Sequence, residues 1–124
     1  MSGRCIIVDD SQVSAMVAWG CAKAAGLETR VAHSCAEFRT IYPEFLPDIV
    51  ISDIVMPDED GLDVLRFLWS VEAKARIILV SANEPKYLEL AQRLGESHGL
   101  TIAATFQKPF DLDIVRNTLQ SVTD

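Results

Sequence analysis

At 124 residues and 49% hydrophobic, the chain has the size of one ordinary domain and enough apolar side chains for a core, which excludes a disordered tail. Its formal net charge of −7 is the wrong sign for a nucleic-acid groove, which needs clustered Lys and Arg. No apolar run approaches the ~18 residues of a membrane helix, and "MSGRCIIVDD" carries too short an apolar stretch for a signal peptide, so the chain is expected to be soluble and cytoplasmic.

The first apolar run, "CIIV" (5–8), is β-branched and continuous, the pattern of a strand buried on both faces of a parallel sheet. Ser11 then caps a helix that runs through Met16, Val17 and Ala24 and stops at Gly26. "TRVA" (29–32) is a second strand, ending at His33-Ser34 in the manner of a sheet edge. "SCAEF" (34–38) is a capping box, with Ser34 reaching forward and Glu37 back.

"IVIS" (49–52) repeats the continuous apolar pattern and ends on Asp53. Gly61 precedes "LDVLRFLW", where Leu62, Leu65 and Leu68 or Trp69 share one helical face. "IILV" (77–80) leads to Ser81-Ala82, and "EPKYLELAQRL" places Tyr87 or Leu88, Ala91 and Leu94 on a stripe, with Pro85 in the first turn. "TIAATF" (101–106) runs to Lys108-Pro109, after which Asp111 caps a helix carrying Leu112, Val115, Leu119 and Val122. Cys5, Cys21 and Cys35 are odd in number with no CxxC spacing, and read as buried thiols rather than a disulfide or zinc site.

Strand and helix alternate throughout, with no linker, repeat or low-complexity segment, which predicts an open α/β sheet with helices on both faces. Right-handed crossovers bring the connections after each strand to one rim, where ligands bind in such sheets. Asp9, Asp10, Asp53, Ser81 and Lys108 all end strands, so three carboxylates, a hydroxyl and an ammonium are expected to converge there. Carboxylates that close raise one another's pKa unless positive charge lies among them. Lys108 supplies some, and an oxygen-only set with room for water suits Mg²⁺. Such a site asks for a phosphate, with a carboxylate attacking phosphorus in line to give an aspartyl phosphate.

"VDD" (8–10), "DIVMPDEDG" (53–61), "VSA" (80–82) and "QKPF" (107–110), each at a strand end and in this order, resemble the receiver domain of two-component response regulators. The resemblance spans the chain and implies a single domain over 1–124 with the flavodoxin-like (βα)5 fold, a doubly wound parallel five-stranded sheet of order 2-1-3-4-5. It implies Asp53 as phosphoacceptor, with Mg²⁺ ligated by Asp10, Asp53 and the Val55 carbonyl, and by Asp9 largely through water. Lys108, Ser81 and the Ala82 backbone N–H would hold the phosphoryl oxygens, while Met56-Pro57 and Gly61 shape the loop. The implied partners are a sensor histidine kinase or histidine phosphotransfer protein, and an output domain or effector protein. A homodimer formed on phosphorylation belongs to the same expectation; direct nucleic-acid or membrane binding does not.

Two features depart from the family pattern. Thr105 stands where an aromatic usually lies, three residues before the lysine, and strand alternation turns Phe106 to the other face, so the switch is expected to be muted or routed differently. The stretch between Ser81 and Lys108 is longer than is typical, and with "GLTIAATFQKPF" it faintly resembles receivers that precede cyclic-di-GMP phosphodiesterase domains. Val55, two residues after Asp53, puts an apolar group near the route of an attacking water.

Each residue also has a plainer reading: Asp9 and Asp10 as helix caps, Asp53 as a turn residue, Ser81 as a strand-end hydroxyl, Lys108 as a solvated charge. "DED" (58–60) reads as a solvated loop, His33 and His98 as surface residues, and Trp19 and Trp69 as packing groups. A Mg²⁺-dependent phosphohydrolase of the haloacid-dehalogenase kind is one rival, but it needs Asp-x-Asp where "VDDSQV" has adjacent aspartates, and a cap insertion. A receiver-shaped binding module without phosphorylation is the other. The function expected is therefore signalling by phosphorylation at Asp53, not metabolic catalysis.

Overall fold

The continuous β-branched runs form the middle of a parallel sheet. The structure, a computed structural model, describes residues 3–56, 59–60, 62–82, 85–109 and 111–123. The expectations for Pro57, Asp58 and Gly61 lie outside these residues. In chain order the elements are β1 (Arg4–Val8), α1 (Gln12–Ala24), β2 (Glu28–Ala32), α2 (Cys35–Phe45), β3 (Ile49–Asp53), β4 (Val55–Met56), β5 (Glu59–Asp60), α3 (Leu62–Ser70), β6 (Arg76–Ser81), α4 (Pro85–Ser97), β7 (Thr101–Gln107) and α5 (Leu112–Thr123).

The main sheet runs β2-β1-β3-β6-β7 with every pair parallel, which is the order 2-1-3-4-5 once the short β4–β5 pair is set aside. All of β3, and all of β1 and β6 beyond the first residue, is buried, whereas the edge strands β2 and β7 alternate or are half-exposed. This is why the central strands lack the alternation of a one-faced strand.

Alternate residues of one strand feed two separate cores. Ile6, Val8, Val50, Ile77 and Leu79 pack with Phe38 of α2, Leu65 and Leu68 of α3, and Leu88 and Ala91 of α4. Cys5, Ile7, Ile49, Ile51, Ile78 and Val80 pack with Ala15, Ala18, Cys21 and Ala22 of α1 and with Val115 and Leu119 of α5. Small residues on α1 let that helix lie close to the sheet, while its Val13 and Met16 are more than two-thirds exposed. Leu112, expected on the buried stripe of α5, is half exposed instead.

Local chemistry fixes the ends of the helices. Ser11 Oγ accepts from the Ser14 N–H at 3.3 Å, and Asp111 Oδ1 accepts from the N–H groups of Asp113 and Ile114 at 3.0 and 3.3 Å, each meeting donors that a helix start leaves unpaired. Ser34 Oγ accepts from Glu37 N–H at 3.1 Å, and Glu37 returns to the N–H of His33 at 3.3 Å. Gly26 follows α1 at φ +82, the left-handed conformation that glycine adopts without strain.

Between β6 and β7 the register steps from Ile77↔Ile102 to Ile78↔Ala104, which leaves Ala103 as an extra residue in β7. Ile102 accordingly joins the core under α4, whereas Ala104 and Phe106 join the core under α1 and α5. Phe106 thus faces as alternation predicts, and Thr105, half-buried, lies on the opposite face. Met56 and residues 59–60, read from sequence as loop, take part in the antiparallel β4–β5 pair, Val55↔Asp60 and Met56↔Glu59. Trp69 packs at the first core and stacks on His98 with ring centroids 3.8 Å apart. Trp19 departs from the packing role expected of it, lying 44% exposed beside Lys23. Among the described residues no helix is long and apolar enough to cross a membrane.

Candidate functional site

The C-terminal ends of β1, β3 and β7 deliver the charged groups to one point, because parallel strands all finish at the same rim. Asp9 follows β1, its N–H bonded to the Ala32 carbonyl at 3.0 Å in continuation of the β1–β2 ladder. Asp53 closes β3, opposite Val80 of β6. Lys108 follows β7, its backbone N–H donating to the Ser81 carbonyl at 2.8 Å. The peptide bond from Lys108 to Pro109 is cis.

Lys108 Nζ donates to Asp9 Oδ2 and to Asp53 Oδ2, each at 2.8 Å. Both carboxylates are almost fully buried. Each has a second donor: Ser11 N–H reaches Asp9 Oδ1 and Val55 N–H reaches Asp53 Oδ1, both at 2.9 Å. Asp10 is the exposed member of the trio, and carboxylate oxygens of Asp9, Asp10 and Asp53 lie within 4.8 Å of one another. The plainer readings of these residues as unrelated caps and turns do not describe this convergence, although Asp9 does also bond the N–H that follows the turn.

One ammonium serves two buried carboxylates. Burial pushes the Asp9 carboxyl above its ordinary range, despite the opposing hydrogen bonds from Lys108 and Ser11. Burial works against the Lys108 charge too, but the hydrogen bonds and charges of Asp53 and Asp9 outweigh it and the net shift is upward. The charged form of Lys108 is therefore secured while that of Asp9 remains costly. Three carboxylates against one ammonium leave a negative, all-oxygen cluster at a sheet rim, a donor set suited to a hard cation.

The remaining predicted residues flank this point. Ser81 is fully buried at the end of β6, and Ala82, next in the chain, is exposed. Val55 is 41% exposed at the start of β4. The sequence reading missed one contact. His33, exposed as expected, places Nδ1 3.2 Å from the Asp9 carbonyl oxygen. A backbone acceptor 24 residues away leaves no motif to find it by. The cysteines are all buried and unbridged as expected, and burial pushes the Cys5 thiol up to about 12.

Known proteins share this arrangement of strands. Residues 5–120 match the response regulator receiver domain model. Sporulation initiation phosphotransferase F of Bacillus subtilis is 28% identical over 120 residues, covering 97% of this chain and 93% of that protein. Chemotaxis protein CheY of the same organism is 36% identical over 83 residues, covering 66% of this chain and 69% of that one. The crystal structure of a response regulator from Colwellia psychrerythraea superposes with a TM-score of 0.83 at 29% identity, covering 98% and 96% of the two chains.

Proposed function

The chain belongs to the response regulator receiver domain family, whose members are phosphoacceptor signalling modules rather than metabolic enzymes, and from that premise we propose that Asp53 is its phosphoacceptor. The observation that carries this reading is the bridge from Lys108 Nζ to both Asp9 and Asp53 inside a cluster that also includes Asp10. A carboxylate held by its neighbours next to a fixed ammonium is placed for nucleophilic attack on phosphorus.

In the transfer, an Asp53 oxygen forms a bond to the phosphorus of a phosphohistidine as the P–N bond breaks. The aspartyl phosphate and a free imidazole are the products. Lys108 then pairs with a phosphoryl oxygen, and the Ser81 hydroxyl and Ala82 N–H hold the others. Asp10, Asp53 and the Val55 carbonyl would hold Mg²⁺, with Asp9 largely through water, and the bound ion would supply positive charge for the phosphoryl oxygens. The added charge on Asp53 biases a two-state interaction surface.

The receiver acts in the cytoplasm, its phosphoryl donor is a sensor histidine kinase or histidine phosphotransfer protein, and output passes to an effector protein or an attached domain. Residues 1–124 act as one receiver unit, with a homodimer as one form of its phosphorylated state. Incubation with acetyl phosphate and Mg²⁺, followed by intact-mass measurement, tests the assignment. One added phosphoryl group, abolished by Asp53→Asn, is expected. No added mass on the unaltered chain, or the same addition on Asp53→Asn, overturns it.

A further inference from the structure

We propose that His33 is a positioning residue for the Asp9–Asp10 segment and sets how tightly the acidic cluster binds its cation, an inference that rests on the reading of that cluster given above. The edge strand grips Asp9 by both of its backbone polar groups. The Asp9 N–H donates to the Ala32 carbonyl at 3.0 Å, and the Asp9 carbonyl meets Nδ1 of the very next residue, His33, at 3.2 Å. A carbonyl only accepts, so Nδ1 carries the hydrogen and donates it.

That carbonyl belongs to the peptide unit joining Asp9 to Asp10, so the imidazole fixes the plane from which Asp10 projects. Asp9 needs little such help: it is buried, and its two carboxylate oxygens are held by Ser11 and Lys108. Asp10 is exposed, and its carboxylate goes where its backbone sends it. His33 is itself anchored, its own N–H donating to Glu37 Oε2 at 3.3 Å in the first turn of α2. The chain of contacts thus runs from α2 through an imidazole to the peptide that presents Asp10. Partners that orient ligands in this way commonly tune metal affinity without touching the metal.

Mg²⁺ affinity of the full chain, measured by calorimetric titration, tests this on His33→Ala and His33→Asn. The Asn amide can place a donor near the position of Nδ1, whereas Ala cannot. His33→Ala is expected to weaken Mg²⁺ binding by about fivefold, the scale of one neutral hydrogen bond, and His33→Asn to recover most of that loss. The midpoint of thermal unfolding without divalent cation is expected to change little in either variant. Unchanged affinity in His33→Ala overturns the proposal. So does a loss of affinity that His33→Asn leaves unrepaired and that follows a lowered unfolding midpoint, which marks a merely structural role. Failure of the unaltered chain to bind Mg²⁺ overturns the cation reading itself and this inference with it, an outcome distinct from the other two.

Discussion

Lys108 Nζ lies 2.8 Å from Asp53 Oδ2 although the two residues are 55 positions apart in the chain. The same ammonium is 2.8 Å from Asp9, 99 positions away. A single side chain at the end of an edge strand therefore neutralises part of the charge that two inner strands deliver.

Replacing Lys108 by alanine leaves two buried carboxylates facing one another with no counter-charge. Breaking a buried ion pair by removing one partner costs about 3 kcal/mol, and a loss of that order is expected in urea unfolding at neutral pH without divalent cation. Added Mg²⁺ should recover part of it, because a cation among Asp9, Asp10 and Asp53 restores positive charge. A Lys108→Ala protein as stable as the unaltered chain in EDTA would show that the bridge is not holding these carboxylates.

The pH dependence has two limbs of defined sign. Asp9 has a folded pKa above its ordinary 3.8, so its contribution to stability is fully present below 3.8 and is lost as pH rises through the elevated folded value. Lys108 is raised above 10.5, so its contribution is full below 10.5 and disappears as pH climbs through the folded value. Asp9→Asn removes the first limb. In cation-free buffer the stability of that variant relative to the unaltered chain should grow from pH 4 towards neutrality and then level off, as roughly measured by denaturant unfolding at each pH. A difference that stays constant across that range contradicts the shift.

Gly95, buried in α4, approaches β7 where the bulge lies. A Cβ built there meets Ile102 Cδ1 at 3.1 Å and Leu100 Cδ1 at 3.7 Å. Gly95→Ala gains about 0.5–1 kcal/mol of helix propensity, and the contact is with the flexible end of a half-buried side chain, so the net change is expected to be near zero. Gly95→Leu cannot be accommodated by that small shift and should cost about 2 kcal/mol, read as a lower thermal midpoint. Equal stability of the two variants would mean that α4 packs less closely on Ile102 than the structure shows.

The legible parts of the fold are those where one physical constraint acts along many residues. β1, β3 and β6 could be read because burial on both faces demands apolar side chains at successive positions, and Ser11, Ser34 and Asp111 because a helix start needs an oxygen acceptor at one fixed place. The convergence of Asp9, Asp53 and Lys108 followed from topology, since parallel strands end at one rim. The β4–β5 pair could not be read, because two-residue strands are too short to show a period. Leu112 fits the apolar stripe of α5 by spacing, yet the first turn leaves it exposed. The bulge at Ala103 arises from register between two strands and is written in neither. The contact of His33 with Asp9 likewise depends on strand pairing bringing a side chain to a main-chain oxygen.

If Asp53 is the phosphoacceptor, as proposed, Val55 is expected to affect how long the phosphoryl group stays there. Its backbone N–H donates to Asp53 Oδ1 at 2.9 Å, so its position relative to the carboxylate is fixed, and the residue is 41% exposed. Hydrolysis of an acyl phosphate requires a water held in line with the breaking bond. An isopropyl group offers that water no hydrogen bond, whereas an amide at the same place offers both a donor and an acceptor. We expect Val55→Asn to hasten loss of the phosphoryl group by about fivefold, the rate equivalent of one oriented hydrogen bond. Val55→Ala, smaller but still apolar, should hasten it less. Decay of the phosphorylated mass after removal of acetyl phosphate measures both, and equal rates in the unaltered chain and Val55→Asn would place the attacking water out of reach of residue 55.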